Sequence, residues 1–375
     1  MAIVRLGVVP RLHSANADTT AYLVKTRTCS FWLAAVLGLS AACAGGSEKA
    51  VLDEPWRGAT ALTTREDYPA GIAIDGANVL YTSGLSQVGD HAVRIAPLQP
   101  ATPPASRILV ADPGGVTPNG TLAVSDGNVY VAADHGVKRV SIATGEVTPV
   151  VDGRPTGVKS VAVDDRFVWW TTSEYQSPQW AEVARIPKAG GAVEILASGT
   201  DDKGRVYQDD PARKAVAVFR SSSSFYSLVL DGDAALVPSP SAILRVAGGR
   251  KPEVVLDDHT LGGTPTRIAV DADRIYGEIA GGGLFAVPRT GGPPKRLAPD
   301  VDDTRALAVA GNEVIFMTLG SGSGGKEDIN AIPTTGGTAR VITSGRYAEG
   351  DLVLTGDLVV FGADGRVWSA PLRAP

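Results

Sequence analysis

Pairs of large aliphatic residues that flank one small residue recur along the chain, and each triplet is followed by a polar turn and a second apolar run. Examples are Ile72–Ile74 with Asn78–Tyr81, and Val161–Val163 with Phe167–Trp170. Because side chains alternate across a strand, the two large residues share one face and the small residue lies on the other. Each triplet therefore predicts a short strand, buried on both faces, that turns into an antiparallel partner.

The triplets repeat with a regular spacing. Their central residues stand at positions 73, 123, 162, 229, 269, 308 and 353, which gives steps of 50, 39, 67, 40, 39 and 45. A third strand ending in Gly-Gly and a fourth strand complete the unit, as in Val183–Gly191 followed by Val193–Ala197. A four-stranded unit of about 40 residues predicts an all-β fold, a seven-bladed β-propeller. Six or eight blades stay open, because the step of 67 contains an insertion, roughly residues 204–223, that the pattern does not place.

The two ends of the repeat region predict how the ring closes. The last unit ends with Arg366–Leu372 and has no fourth strand, whereas Ala59–Thr64 is a strand without a unit of its own. Pairing these two segments would complete the last blade and remove two exposed edges. We therefore predict that the N-terminal strand closes the propeller.

The segment before the repeats has the plan of an export signal. Lys25 and Arg27 precede the uncharged run Phe31–Ala42, which is followed by small residues. Twelve helical residues rise about 18 Å, which is short of a bilayer core of about 30 Å. We interpret residues 1–23 as an extension upstream of the true start, 24–42 as a signal peptide, 43–57 as a flexible tether and 58–375 as the propeller.

The residues around Cys43 resemble a bacterial lipobox, in which small residues precede a cysteine that becomes lipidated. The match is Leu39–Cys43, with Ser40 at the place where leucine is usual. Lipidation of Cys43 would hold the protein at the outer membrane or in the periplasm by a lipid anchor alone, and the alternative is simple secretion. The other cysteine, Cys29, lies in the leader, so we expect neither a disulfide nor a reactive thiol in the folded part.

Composition and charge narrow the class of partner. The chain has 44 Gly and 25 Pro in 375 residues, which favours many tight turns. Its net charge is −5, and the first 42 residues carry +3, so the remainder carries −5 − 3 = −8. An acidic body repels a phosphate backbone, and nucleic acid is therefore not an expected partner. We expect a monomer.

Residues 58–375 resemble the YWTD and NHL-type propeller repeats, in which an aliphatic-Ala-aliphatic-Asp strand precedes a Tyr-Trp-Thr-like strand. Val161–Asp164 with Trp169–Thr172 is one such copy, and Ile72–Asp75 with Tyr81–Ser83 is another. The chain is also similar to bacterial exported repeat proteins of uncharacterised type. The resemblance implies the fold and a general binding role, and nothing catalytic.

Two patterns suggest ligand chemistry, and each has a simpler structural explanation. Gly320–Lys326 satisfies the first seven positions of a phosphate-binding loop, but Glu327 follows where Ser or Thr is required, and the segment joins two strands. Acidic pairs such as Asp231-Gly232-Asp233 lack the spacing of a calcium loop and are typical of turns. We therefore predict no cofactor and no metal.

The remaining candidates are loop residues around one end of the ring. In a propeller, the connections into first strands and those between second and third strands gather at one mouth of the central opening. We predict a ligand-binding rim formed by Tyr68, Asn119, Lys159, Glu174, Tyr175, Trp180, Tyr226, Arg267, Arg305 and Tyr347. Exposed aromatic and arginine side chains are the usual anchors of recognition.

Three functional hypotheses follow. The first is a non-enzymatic binding or scaffold module at the bacterial cell envelope that holds a protein, a peptide or a glycan. The second is a propeller hydrolase, lactonase or lyase with a metal in the channel, which needs several carboxylates or histidines near the starts of first strands. The equivalent positions, which are Asn119, Lys159, Thr266, Thr304 and Glu349, hold one acid. The third is a structural repeat protein without a small ligand.

Overall fold

The computed structural model describes residues 55–65, 69–84, 91–112, 121–133, 136–152, 157–173, 181–200, 218–220, 227–239, 242–301, 304–318 and 327–373. These residues form seven four-stranded antiparallel sheets arranged in a ring, one of which carries a fifth, parallel strand, and the ring is a seven-bladed β-propeller. The predicted fold class and blade number are therefore confirmed. The cause is the pattern already described, because each repeat supplies one sheet in which consecutive strands are neighbours.

Blades 1 to 6 are numbered in chain order, and within each of them the first strand is innermost. Blade 1 comprises β2 (Ile72–Asp75), β3 (Asn78–Ser83), β4 (Ala92–Pro97) and β5 (Arg107–Ala111). Blade 2 comprises β6 (Leu122–Ser125), β7 (Asn128–Ala133), β8 (Gly136–Ser141) and β9 (Val147–Val151). Blade 3 comprises β10 (Val158–Val163), β11 (Phe167–Ser173), β12 (Ala181–Pro187), β13 (Glu194–Thr200) and β14 (Val218–Arg220).

The second half of the ring follows the same plan. Blade 4 comprises β15 (Val229–Asp231), β16 (Ala234–Ser239), β17 (Ala242–Ala247) and β18 (Glu253–Asp257), followed by the one described helix, α1 (Asp258–Leu261). Blade 5 comprises β19 (Pro265–Val270), β20 (Arg274–Ile279), β21 (Gly283–Pro288) and β22 (Lys295–Ala298). Blade 6 comprises β23 (Thr304–Ala310), β24 (Glu313–Thr318), β25 (Glu327–Pro333) and β26 (Arg340–Gly345).

Blade 7 closes the ring with strands from both ends of the repeat region. It comprises β27 (Ala348–Thr355), β28 (Leu358–Ala363), β29 (Arg366–Pro371) and, as its fourth strand, β1 (Thr60–Ala61). Thr60 pairs with Ser369 and Ala61 with Trp368, so the predicted closure is confirmed. The strand itself is shorter than predicted, although the Leu62 N–H still donates to the Val367 carbonyl at 2.8 Å.

The closing segment begins before its strand. Trp56 is 1 % exposed and packs edge-on against Phe361, with ring centroids 4.8 Å apart. The Arg57 N–H donates to the Ser344 carbonyl at 3.0 Å, and the Thr343 hydroxyl donates to the Arg57 carbonyl at 2.7 Å. These contacts attach Trp56 and Arg57 to blade 6 as well as to blade 7.

Apolar packing between neighbouring blades holds the ring together. One cluster joins Trp170 of blade 3 to Tyr130 of blade 2, and another joins Phe285 of blade 5 to Leu236 of blade 4. Second strands are buried almost throughout, whereas first strands are half-buried at positions such as Ala123 and Val124. First strands are therefore less buried than the sequence predicts, because the inner edge of each sheet borders the central opening while both faces pack against neighbouring blades.

The insertion within the step of 67 contributes a fifth strand to blade 3. β14 lies parallel to β13, with Ser198 opposite Val218 and Thr200 opposite Arg220. Parallel pairing is unusual in a propeller blade, and it covers the outer edge of this sheet. Within the described residues, no helix has the length and apolar character needed to cross a membrane.

Candidate functional site

The two ends of the propeller carry different connections. One end has the turns between first and second strands, which have two or three residues, as in 76–77, and the connections between third and fourth strands, which have five to nine residues, as in 98–106. At the opposite end, fourth strands lead into first strands and second strands into third strands. There, apart from the connection that contains β14, the lengths range from two residues (Arg346–Tyr347) to ten (Leu62–Gly71). We call this end the mouth, and variable connections on a rigid scaffold are where binding residues concentrate.

Four of the seven innermost strands carry a register shift where they begin at the mouth. The shifts fall between Val158 and Ser160, Pro265 and Ile268, Thr304 and Ala306, and Glu349 and Leu352. The residues within these shifts include Lys159, Arg267, Arg305 and Asp351. A β-bulge bends its strand and changes the direction of a side chain, and bulges are common next to functional sites.

In blade 5 the bulge places Arg267 beside a buried carboxylate. Glu278 is 2 % exposed, and it accepts hydrogen bonds from the Thr266 hydroxyl at 2.6 Å and from the Thr304 N–H at 2.7 Å. The Arg267 guanidinium lies 3.5 Å from the same carboxylate and donates to the Thr304 carbonyl at 2.7 Å. These contacts join blade 5 to blade 6 and fix the position of Arg267.

In blade 7 the bulge depends on Gly350 and brings in a second acid. Gly350 has φ +69°, and a Cβ atom there would lie 2.5 Å from the Ala70 carbonyl oxygen, so only glycine fits. The next residue, Asp351, is half-buried. Burial raises the pKa of the Asp351 carboxyl, and the positive charge of Arg267 opposes that shift. Asp351 therefore lies within electrostatic reach of an arginine two blades away.

In blade 6 the bulged residue, Arg305, has an incomplete set of partners. Its Nε atom is buried and meets no hydrogen-bond acceptor among the described residues. Glu327, at the start of β25, accepts a hydrogen bond from the Ala348 N–H of blade 7. Burial raises the pKa of the Glu327 carboxyl, while this hydrogen bond and the charge of Arg305 oppose the shift.

The residue before Ala348 is an exposed aromatic in a strained conformation. Tyr347 is 44 % exposed and has φ +56°, a left-handed conformation that is a genuine outlier for a bulky side chain. Its carbonyl accepts a hydrogen bond from the Asp364 N–H at 2.8 Å, which helps to hold the backbone in place. Strain of this kind costs about 1–3 kcal/mol and is concentrated at binding sites.

Three predicted rim residues, Arg267, Arg305 and Tyr347, lie at the mouth in consecutive blades. Arg267 pairs with Glu278, Arg305 and Arg267 are within electrostatic reach of Glu327 and Asp351, respectively, and Tyr347 precedes the residue that Glu327 binds. We call these six residues the blade 5–7 mouth site. Lys159 lies at the corresponding bulge of blade 3, in a different sector. The other predicted site residues lie outside the described residues, namely Cys43, Tyr68, Asn119, Glu174, Tyr175, Trp180 and Tyr226.

The mouth holds more acids than the sequence predicts. Of the five positions selected from the sequence, Thr304 is buried at 1 % exposure, and the carboxylates of Glu278, Glu327 and Asp351 were not among them. A signal for Glu278 was present, because it is a charged residue in the apolar run Ile275–Ile279. In the described part of the chain, no three His, Cys, Asp or Glu side chains converge as metal ligands would.

A second concavity lies at the other end of the propeller, between blades 4 and 5. Its volume is about 510 Å³, and its lining includes Asp231, Arg245 and Arg289. Asp231 accepts hydrogen bonds from Arg245 Nε at 3.0 Å and pairs with Arg289. The Arg245 guanidinium also donates to the Arg289 carbonyl at 2.5 Å. These charged groups pair with one another within the protein, and the pairs join blade 4 to blade 5.

Comparison with known proteins bears on the fold. No protein-family model and no curated protein matches the sequence. The computationally designed protein Ika8 is similar, with TM-score 0.53, 14 % identity, and 83 % of this chain and 98 % of that chain covered. The extracellular domain of a putative hybrid two-component system from B. thetaiotaomicron is also similar, with TM-score 0.57 and 11 % identity. That match covers 83 % of this chain and 39 % of the other, so this chain spans about two fifths of it. At these identities the likeness concerns the fold alone.

Proposed function

We propose that this protein is a non-enzymatic binding propeller of the bacterial cell envelope and that it holds its partner at the mouth. The observation that carries the proposal is the asymmetry between the two ends of the ring. At one end, turns of two or three residues join first to second strands and connections of five to nine residues join third to fourth strands. The mouth combines connections of two to ten residues with four first-strand bulges that carry charged residues. The repeated strand pattern is sufficient to form the fold. The connections and bulges that depart from this pattern therefore indicate a surface used for recognition.

The chemistry of the blade 5–7 mouth site agrees with binding. It contains an exposed aromatic ring, Tyr347, and two arginines, Arg267 and Arg305, which are residue types enriched in recognition hot spots. A partner that is a protein, a peptide or a glycan of the envelope would meet both polar and aromatic groups there.

The proposed location rests on the leader and on Cys43. The basic residues, the apolar run and the lipobox-like Leu39–Cys43 support export followed by lipid anchoring. The similar B. thetaiotaomicron domain is extracellular, which is consistent with a propeller outside the cytoplasm. We expect the wild-type chain to incorporate labelled palmitate and to sediment with membranes, and the Cys43→Ala variant to do neither. Equal labelling of the two chains would contradict the anchor.

Site-specific photo-crosslinking in cells tests binding at the mouth. A photoreactive residue is placed at Tyr347, at the mouth of blade 7, or at Asp357, in the turn at the other end of the same blade. We expect a discrete crosslinked species from position 347 and none from position 357. Identical patterns from the two positions, or no crosslink from position 347, would count against the mouth as the binding face.

A further inference from the structure

One guanidinium of the blade 5–7 mouth site has a hydrogen-bond donor without an acceptor among the described residues. Arg267 is engaged by Glu278 and by the Thr304 carbonyl. Arg305 is half-buried, and its buried Nε meets no hydrogen-bond acceptor among the described residues. A buried donor without an acceptor costs about 1–3 kcal/mol, and an oxyanion of a ligand would remove that cost. The planar guanidinium fits a carboxylate with two parallel hydrogen bonds.

The neighbouring acids restrict which anions fit. Glu327 and Asp351 lie within electrostatic reach of Arg305 and Arg267, respectively. A doubly charged phosphate or sulfate ester would be repelled by these carboxyl groups, whereas a singly charged carboxylate meets less repulsion. Carboxyl groups beside an anion site are useful when the ligand also carries hydroxyl groups, because each carboxyl oxygen accepts a hydroxyl hydrogen bond.

Tyr347 supplies a flat surface beside these polar groups. Its side chain is 44 % exposed although its backbone is strained, and it directly precedes Ala348, whose N–H is bound by Glu327. An aromatic face packs against flat apolar surface. A sugar ring offers such a face formed by its C–H groups, and it carries hydroxyl groups at its edge.

We propose that the blade 5–7 mouth site binds an acidic saccharide, with the sugar carboxylate on Arg305, hydroxyl groups on Glu327 and Asp351, and the ring against Tyr347. This inference rests on the proposed function, since it names the class of ligand for the same face. A peptide carboxylate is the competing source of the anion, but a peptide offers few hydroxyl groups to the two acids.

Calorimetric titration of the full-length protein with defined probes tests the inference. The probes are trimers of galacturonic acid and of glucuronic acid, the neutral galactose and glucose trimers that differ from them at C6, and triglutamate. We expect at least one uronate trimer to bind, and its neutral counterpart to bind at least about tenfold more weakly, since a charge-assisted hydrogen bond contributes about 1.5–3 kcal/mol. We expect triglutamate to bind more weakly than that uronate trimer.

Matched variants locate the site. Arg305→Met should weaken uronate binding at least about tenfold, whereas Arg274→Met, which removes an exposed arginine from the other end of blade 5, should leave it unchanged. Tyr347→Asn should also weaken binding, because asparagine tolerates the left-handed backbone but lacks the ring. Tyr347→Phe should retain binding. Thermal unfolding of each variant separates a local effect from a loss of fold.

The outcomes distinguish this inference from the proposed function. Equal binding of the uronate trimers and the neutral trimers, or tighter binding of triglutamate, would overturn the acidic-saccharide assignment. So would uronate binding that is unchanged in Arg305→Met. If no trimer binds while position 347 still crosslinks to a partner in cells, the saccharide inference fails and the binding propeller stands.

Discussion

An aspartate at the end of the first strand is tied to an aromatic residue five positions later in two blades. In blade 5 the Tyr276 hydroxyl donates to Asp271 at 2.6 Å, and in blade 3 the Trp169 indole N–H donates to Asp164 at 2.7 Å. The same carboxylates accept backbone N–H groups of their turns, such as that of Arg274 at 2.7 Å. These aspartates therefore hold the turn and the core aromatic together, and no cation is needed to explain them.

We predict that Tyr276→Phe destabilises the protein by about 1–3 kcal/mol at pH 7, because the half-buried carboxylate of Asp271 loses a hydrogen bond. The effect should depend on pH. Burial, and then the hydrogen bond to Asp271, raise the pKa of Tyr276 from its ordinary 10.0 to about 12. Between pH 10 and 12 the unfolded wild type releases this proton while the folded protein keeps it, so wild-type stability falls in that window.

The variant has no such proton to lose, so its stability deficit relative to wild type should shrink by up to about 2 kcal/mol from pH 10 to 12. Denaturant unfolding at several pH values measures this. Trp169→Phe is the control, since it removes the equivalent hydrogen bond in blade 3 without removing a titrating group. A deficit of Tyr276→Phe that is constant or grows across this window would contradict the account.

At the scale of the strand, hydrophobic alternation predicts the regular part of each blade and does not predict its irregular start. The triplet Leu307–Val309 identified β23 correctly, because the alternation holds over those residues. The register shift between Thr304 and Ala306 comes before the triplet, and counting back from Ala308 gives no warning of it. The same holds for Asp351, which the shift in β27 brings to the mouth.

The fold was therefore more predictable than the site. The pattern of buried apolar residues repeats in every blade, so the sequence contains seven copies of it. A bulge, in contrast, is a single local feature that depends on contacts distant in sequence. Gly350 shows the difference, since the sequence alone gives no reason for a glycine there. The structure supplies it, because a side chain would collide with the Ala70 carbonyl at the entry to blade 1.

At the scale of the whole molecule, ring closure was predictable because it follows from counting strands. The sequence did not predict that the N-terminal segment also contributes core side chains, since Trp56 lies in a segment whose composition suggests a tether. In the structure, Trp56 joins the largest apolar cluster of blades 6 and 7, and its indole N–H donates to the Arg346 carbonyl at 3.2 Å. Residues 55–63 thus act as a clasp between the beginning and the end of the propeller.

We predict that a chain of residues 55–375 is as stable as the longer protein, whereas a chain of residues 64–375 is less stable by about 5 kcal/mol or more. The shorter chain loses the buried side chains of Trp56 and Leu62, and the loss of each costs about 2–5 kcal/mol. It also exposes the edge of β29, which should cause concentration-dependent association. Thermal unfolding and light scattering measure the two effects.

A peptide of residues 55–65 should bind to the 64–375 chain and reverse both effects, because it restores the missing strand and fills the Trp56 site. The matched control is the same peptide with Trp56→Ala, which keeps the backbone pairing and loses the buried ring. Since a Trp→Ala change in a core costs about 3–5 kcal/mol, its affinity should be at least about 100-fold lower. Equal affinity of the two peptides would mean that the strand pairing alone closes the ring. Equal stability of the 55–375 and 64–375 chains would mean that the ring needs no clasp.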